Sequence, residues 1–284
     1  METATIIKAV AALILLPAFG AILNGVDRKL TARIQGRQGP PLLQPVYDVL
    51  KLFGKEAILV NRNQIVYAFM HLGFIAVACT MLVLGQDMLM AIFVLAFGGI
   101  ALILGALSVR SPYSRIGAHR EIMQMLSYEP ILLMLAVGIF LLTGSFLAGD
   151  ITHHGRPLLL SLPLIFIAFM PVAAIKLRKS PFDFSTSHHG HQEIVKGLTL
   201  EFAGPYLGMI EIAHWYESSL IFIVFAAFWA TNWFVGLLIA CVGYFGEILA
   251  DNLMARLTWR WMLVHMWTVG LGLAVTNLIW LYWK

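Results

Sequence analysis

Met88-Leu-Met-Ala-Ile-Phe-Val-Leu-Ala-Phe-Gly-Gly-Ile-Ala-Leu-Ile-Leu-Gly-Ala-Leu-Ser-Val109 runs for 22 residues without a charge, between Asp87 and Arg110. At about 1.5 Å per residue such a helix is about 33 Å long, enough to cross a hydrocarbon core of roughly 30 Å. The pattern recurs along the chain. Apolar runs at about 4–26, 64–85, 88–109, 121–147, 157–175, 203–229, 232–250 and 261–283 predict eight transmembrane helices. Only Ala230-Thr231-Asn232 divides the sixth run from the seventh. With 60% hydrophobic and 12% charged residues, the 284-residue chain reads as one all-α integral membrane domain over 1–284. The first run has no basic residue before Lys8 and leads into a basic segment, so it reads as a span and not a signal peptide.

Charge orients these spans. Sixteen of the 19 Lys and Arg fall in the loops at about 27–63, 110–120, 176–202 and 251–260, whereas Lys8, Arg156 and Lys284 lie on the other side. Positive loops are retained in the cytoplasm. The expectation is a multi-pass protein of the cytoplasmic membrane with both termini outside. The net charge of +4 is then a topology signal, and no nucleic-acid partner is expected.

Cys79 and Cys241 both sit within apolar runs. Two thiols cannot supply a four-thiolate iron–sulfur site, so no cofactor or metal is expected in this chain.

After Pro45, apolar Val46, Val49, Leu50, Phe53 and Ala57 alternate with Asp48, Lys51 and Lys55 at helical spacing. This predicts an amphipathic helix over about 45–58 at the cytoplasmic interface, serving as padding, as a docking surface or as the roof of a cavity. A second polar island follows the fifth run: Lys176-Leu-Arg178-Lys179-Ser-Pro-Phe-Asp183, then His188-His189-Gly-His191-Gln-Glu193, then Glu201-Phe-Ala-Gly204. Its acids continue to Glu211 and Glu217 in returning apolar sequence. A charge at the centre of a membrane helix costs roughly 2.5–3.5 kcal/mol on insertion scales, so such residues face polar interiors and mark ion paths. Glu211 and His214 are three apart and share a helix face, a spacing suited to proton exchange. Glu129 is the matching acid of the fourth run.

Blander readings compete at several sites. Glu129 and Glu211 also fit polar contacts between helices. Glu217 carries a weaker signal, and Glu247 and Asp251 fit pairing with Arg256 or Arg260. His188, His189 and His191 fit a partner contact better than a metal site. His153 and His154 read as solvated.

These residues carry a family resemblance. The chain resembles subunit 1 of respiratory complex I and, more closely, its counterpart in energy-converting nickel–iron hydrogenases of the Ech type. The shared elements are Arg33 to Pro40, Lys51 to Glu56, Gly117-Ala-His-Arg-Glu121, Leu126-Ser-Tyr-Glu129, Pro181-Phe-Asp183, Glu193-Ile-Val-Lys-Gly197 and Glu201-Phe-Ala-Gly204. Where complex I carries an acidic cluster at its quinone cavity, this chain has histidines. Glu211-Ile-Ala-His-Trp215 is similar to the hydrogenase counterparts. The resemblance implies a membrane anchor that couples a redox arm to proton or sodium movement. It further implies a lateral proton or ion path starting at Glu129, Asp183, Glu193, Glu201, Glu211 and His214. Arg33, Arg37, Asp48, Lys51, Arg178, Lys179, His188, His189 and His191 are then the docking residues. Implied partners are the hydrogenase large and small subunits with the nickel–iron centre, an iron–sulfur subunit with the clusters, an antiporter-like membrane subunit and, indirectly, ferredoxin. A quinone-site subunit and a purely structural anchor are the competing expectations.

Overall fold

The computed structural model describes residues 2–182, 185 and 196–283 and is all-helical, as expected. Helix α1 (Glu2–Ile34) carries the basic residues after Asp27 as its own last turns. Pro17 inside it has no N–H to offer the Leu13 carbonyl, and the Tyr216 hydroxyl donates there instead. Helix α2 (Gln44–Phe53) has Pro45 in its first turn and ends at Phe53 before Gly54, five residues short of the expected 58. Gly costs about 1 kcal/mol in a helix interior. The chain after it packs against Gly204 (φ 57°), where a Cβ would lie 2.7 Å from the Glu56 carbonyl oxygen.

Helices α3 (Asn63–Val83) and α4 (Met88–Leu107) form a hairpin, with the Asp87 carboxylate accepting from the Met90 N–H at 2.9 Å. Helix α5 (Pro112–Thr143) begins well before the expected 121, because Pro112 suits a first helical position, and it runs on past an internal Pro130 to Gly144. Most of the predicted 110–120 loop is therefore helix. After two single-turn helices come α6 (Pro163–Lys176), α7 (Pro205–Ala227), α8 (Trp233–Leu253) and α9 (Trp259–Tyr282), the last with a π-turn at Met266–Gly270.

Seven of the described helices are long and apolar enough to cross a membrane; α6 is not. Its 14 residues reach only about 21 Å. The apolar run 157–175 looks continuous, yet Leu162 leaves helical geometry (φ −125°, ψ 47°) and Pro163 restarts the helix. α6 runs antiparallel to α7: Phe166 packs on Phe228 (4.8 Å between ring centroids), Phe169 on Phe225 (5.3 Å), and Lys176 meets Glu217. α6 thus covers only the C-terminal half of α7.

The α1–α7 contact is a close backbone approach. A Cβ on Gly20 would lie 2.0 Å from the Trp215 carbonyl oxygen. Ser219 donates to the Leu16 carbonyl at 2.7 Å, and Asn24 donates to Ser218 at 3.1 Å. Small residues of this kind let membrane helices meet without a hydrophobic driving force.

Candidate functional site

The end of α6 places a cation against an acid inside the bundle. Lys176 Nζ lies 3.0 Å from Glu217 Oε1 and 4.7 Å from the centre of the Tyr128 ring on α5. The other carboxylate oxygen, Oε2, is 3.9 Å from His214 Nδ1, one turn earlier on α7. His214 Nδ1 is buried without a hydrogen-bond partner, so one water or a shift of about 1 Å would join it to Glu217. Glu217 is 9% exposed. An isolated charge at such a position is costly, and pairing is what makes both ions tolerable there. Beside the pair lies a cavity of about 40 Å³, walled by Leu95, Leu132, Phe169 and Val172 together with Lys176 and Glu217. Its lining is almost wholly apolar, so the two ions are the polar groups that face it. On α3, His71 is buried and its Nδ1–H donates to the Gly98 carbonyl at 2.8 Å.

A second buried cluster closes the other end of the polar stretch. Lys179 Nζ lies 2.7 Å from Asp27 on α1 and 5.4 Å from the Tyr244 ring centre on α8. The Ser180 N–H donates to Asp251 at 2.8 Å. Glu247, one turn before Asp251 on α8, is 3% exposed. Lys179 is likewise 3% exposed, which corrects its expected docking role. Its ammonium is turned inward to Asp27 and ties the segment after α6 to α1 and α8.

The other expected residues are placed as follows. Glu129 sits midway along α5, with Oε1 buried and unpartnered. Glu211 and His214 are half-buried on α7. Glu201 is half-buried beside Gln64, whose amide reaches the Glu201 carbonyl at 3.5 Å. Arg33 and Arg37 are exposed at and beyond the end of α1, and Lys51 is exposed on α2. Asp48 on α2 pairs with Arg28 at 2.6 Å and accepts from Gln44 at 2.9 Å. Partial burial opposes its ionisation, but the hydrogen bonds from Arg28 and Gln44 and the charges of Arg28 and Lys51 together hold its carboxyl below the usual value. Arg178 is half-buried in a left-handed conformation (φ 55°). Asp183, His188, His189, His191 and Glu193 lie outside the described residues. Nearby, Ser185 donates to Glu121 on α5, and the backbone of Gly197 and Leu198 packs so closely on Gly117 that a Cβ there would lie 2.3 Å from the Leu198 nitrogen.

Sequence reasoning ranks Glu217 low and gives Lys176 no role beyond its positive charge. A signal exists: Lys176 is the first cation after an apolar run, and Glu217 lies three residues from His214.

Among the described residues, no group of three or more His, Cys, Asp and Glu is arranged to hold a metal. Cys79 is buried on α3 and Cys241 is exposed on α8.

The family model described as NADH dehydrogenase matches residues 7–282. An NADH-quinone oxidoreductase subunit of Rubrobacter xylanophilus is 28% identical over 253 residues, covering 80% of this chain and 75% of the relative. Hydrogenase-4 component C of Escherichia coli is 25% identical over 312 residues, covering 98% and 96%. Among solved structures, a chain of the membrane-bound sulfane sulfur reductase, an archaeal respiratory membrane complex, superposes with a TM-score of 0.85 at 25% identity, covering 98% of this chain and 99% of that one.

Proposed function

Because the chain belongs to the NADH dehydrogenase family, that of complex I subunit 1, and is a multi-pass component of a membrane oxidoreductase complex, we propose that it anchors an Ech-type hydrogenase arm and couples that arm's redox reaction to ion movement. The observation that carries this reading is the buried Lys176–Glu217–His214 constellation at the end of a helix that stops short. The chain leaves α6 at Lys176 and enters the 177–204 segment, whose sequence resembles the docking loop of the hydrogenase relatives. A redox event that pulls this segment would draw Nζ away from Glu217. The carboxylate would be left without its cation in a low-dielectric site, where an unpaired charge is costly. A proton on His214 Nδ1 would then pass to Glu217 Oε2, leaving neutral imidazole and neutral acid while Lys176 remains an ammonium. Glu201 and Glu211 are the entry side of this path, and Glu129, adjoining Tyr128, is its branch on α5. Asp183 and Glu193 belong to the same proposed path. Arg33, Arg37, Lys51 and Arg178, with the histidine cluster, form the proposed docking face, oriented to the cytoplasm.

The nickel–iron centre and iron–sulfur clusters are assigned to the large, small and iron–sulfur partner subunits, since two thiols on different helices do not fit a cluster site. An antiporter-like membrane subunit would carry the ions further, and ferredoxin would supply the electrons. Near full-length coverage by the hydrogenase component, and histidines where complex I has acids, support hydrogen chemistry over quinone chemistry. The whole-chain likeness to the sulfane sulfur reductase favours a second reading, in which the same membrane subunit serves a sulfur-reducing arm. Purifying the tagged chain with its partners decides between them. A nickel-containing large subunit that evolves hydrogen supports the proposal, whereas a nickel-free arm that reduces sulfane sulfur, or a flavin-containing NADH module, overturns it.

A further inference from the structure

Pro130 follows Glu129 in the middle of α5 and has no N–H, so the Leu126 carbonyl, four residues back, loses its helical donor. In a membrane such a group must be satisfied by protein. The donor is the Trp267 indole: Nε1 lies 3.1 Å from the Leu126 oxygen. Trp267 belongs to the π-turn Met266–Gly270 of α9, where an added residue in the turn shifts side-chain direction. At the end of that turn, Gly270 abuts Ile131, and a Cβ there would lie 2.6 Å from the Ile131 Cδ1. The α9 turn therefore grips α5 on both sides of Glu129 and Pro130. Glu129 itself has one buried carboxylate oxygen without a partner, so its aim depends on where the backbone of α5 carries it.

We propose that Trp267 is a positioning residue for the Glu129 carboxyl, acting through the Pro130 break in α5. Farther along α9, Asn277 accepts from the N–H groups of Leu164 and Ile165 at 2.8 and 3.1 Å and donates to the Ser161 carbonyl at 3.0 Å. Helix α9 thus also seats the start of α6, whose far end is Lys176. One helix holds both elements that bring charge to the site.

This inference rests on the reading that Glu129 handles protons, and its test has a readout independent of that reading. The intact complex in lipid nanodiscs is compared by infrared difference spectroscopy with E129Q, which identifies the Glu129 carboxyl band. W267F keeps the ring and loses the donor, and it should shift that band. In vesicles it should lower the ion gradient formed per turnover roughly threefold or more, the scale of a coupled pair. P130A supplies a backbone N–H to Leu126, so W267F in the P130A background should leave the band and gradient as in P130A alone. An unmoved band in W267F, or an equal shift in both backgrounds, overturns the proposal. Failure of W267F to assemble supports it if P130A restores assembly, and overturns it otherwise. If the band moves as expected while E129Q still forms a full gradient, the positioning role stands and the proton-carrying role of Glu129 falls.

Discussion

Lys176 Nζ and Glu217 Oε1 lie 3.0 Å apart, joining the last residue of a short helix to the middle of a long one. Because each ion makes the other tolerable, the double removal should cost much less than either single one. K176M or E217Q alone leaves one buried ion without its partner and should destabilise the complex by about 3–5 kcal/mol, whereas K176M/E217Q should recover most of that loss. Thermal unfolding in detergent reads the difference, and equal costs for single and double variants would refute the pairing.

The same residues bear on coupling. E217Q, like E211Q and E129Q, should leave part of the detergent-solubilised hydrogen evolution intact while abolishing the ion gradient in vesicles. A full gradient in E217Q would remove this acid from the proposed path, and a full gradient in all three would leave the structural-anchor reading standing.

Gly20 predicts a steric effect without any charge. G20A puts a methyl 2.0 Å from the Trp215 carbonyl oxygen, and that atom is backbone, so α1 and α7 must separate. The expected cost is at least about 1–3 kcal/mol, with weaker retention of α1 in the bundle by limited proteolysis. G36A, at a position with open space around it, separates crowding from backbone effects: its strain comes only from φ 71°.

The Arg28–Asp48 contact gives a pH dependence. The Asp48 carboxyl titrates below its ordinary value of 3.8 when α2 is docked, despite the opposing effect of burial. The stabilisation is therefore complete above that ordinary value and is lost as pH falls below it, through the lower docked value. Both side chains are over a third exposed, so the contact is worth at most about 1 kcal/mol. Limited proteolysis at the exposed Lys51 reads undocking of α2, and D48N should abolish the acid-dependent part of the change while leaving the neutral-pH cleavage close to its acid limit.

The long helices were legible because apolar length alone predicts them, and Gly54, Asp87 and Asn232 mark ends by ordinary local chemistry. Helix α6 was not, since 157–175 is apolar throughout and only the backbone at Leu162 reveals the break. At the site, the helical period puts Glu211, His214 and Glu217 on one face and leaves open which acid the histidine serves. The selector is Lys176, 41 residues from Glu217, and such a tertiary choice has no periodic signature. Lys179 is misread for a related reason. A lysine in a basic loop reads as a surface charge until Asp27, from the first helix, is seen beneath it.

The order in which a ribosome delivers these parts gives the Asn277 contacts another meaning. A 14-residue apolar helix is too short to settle across a bilayer by itself, and its first N–H groups are satisfied by a side chain made more than a hundred residues later. Before α9 emerges, α7 can already bring Glu217 to Lys176, but the Leu164 and Ile165 N–H groups lack their Asn277 acceptor. A nascent or stalled chain therefore holds the start of α6 unsecured, and its seat is completed only when the last helix is made.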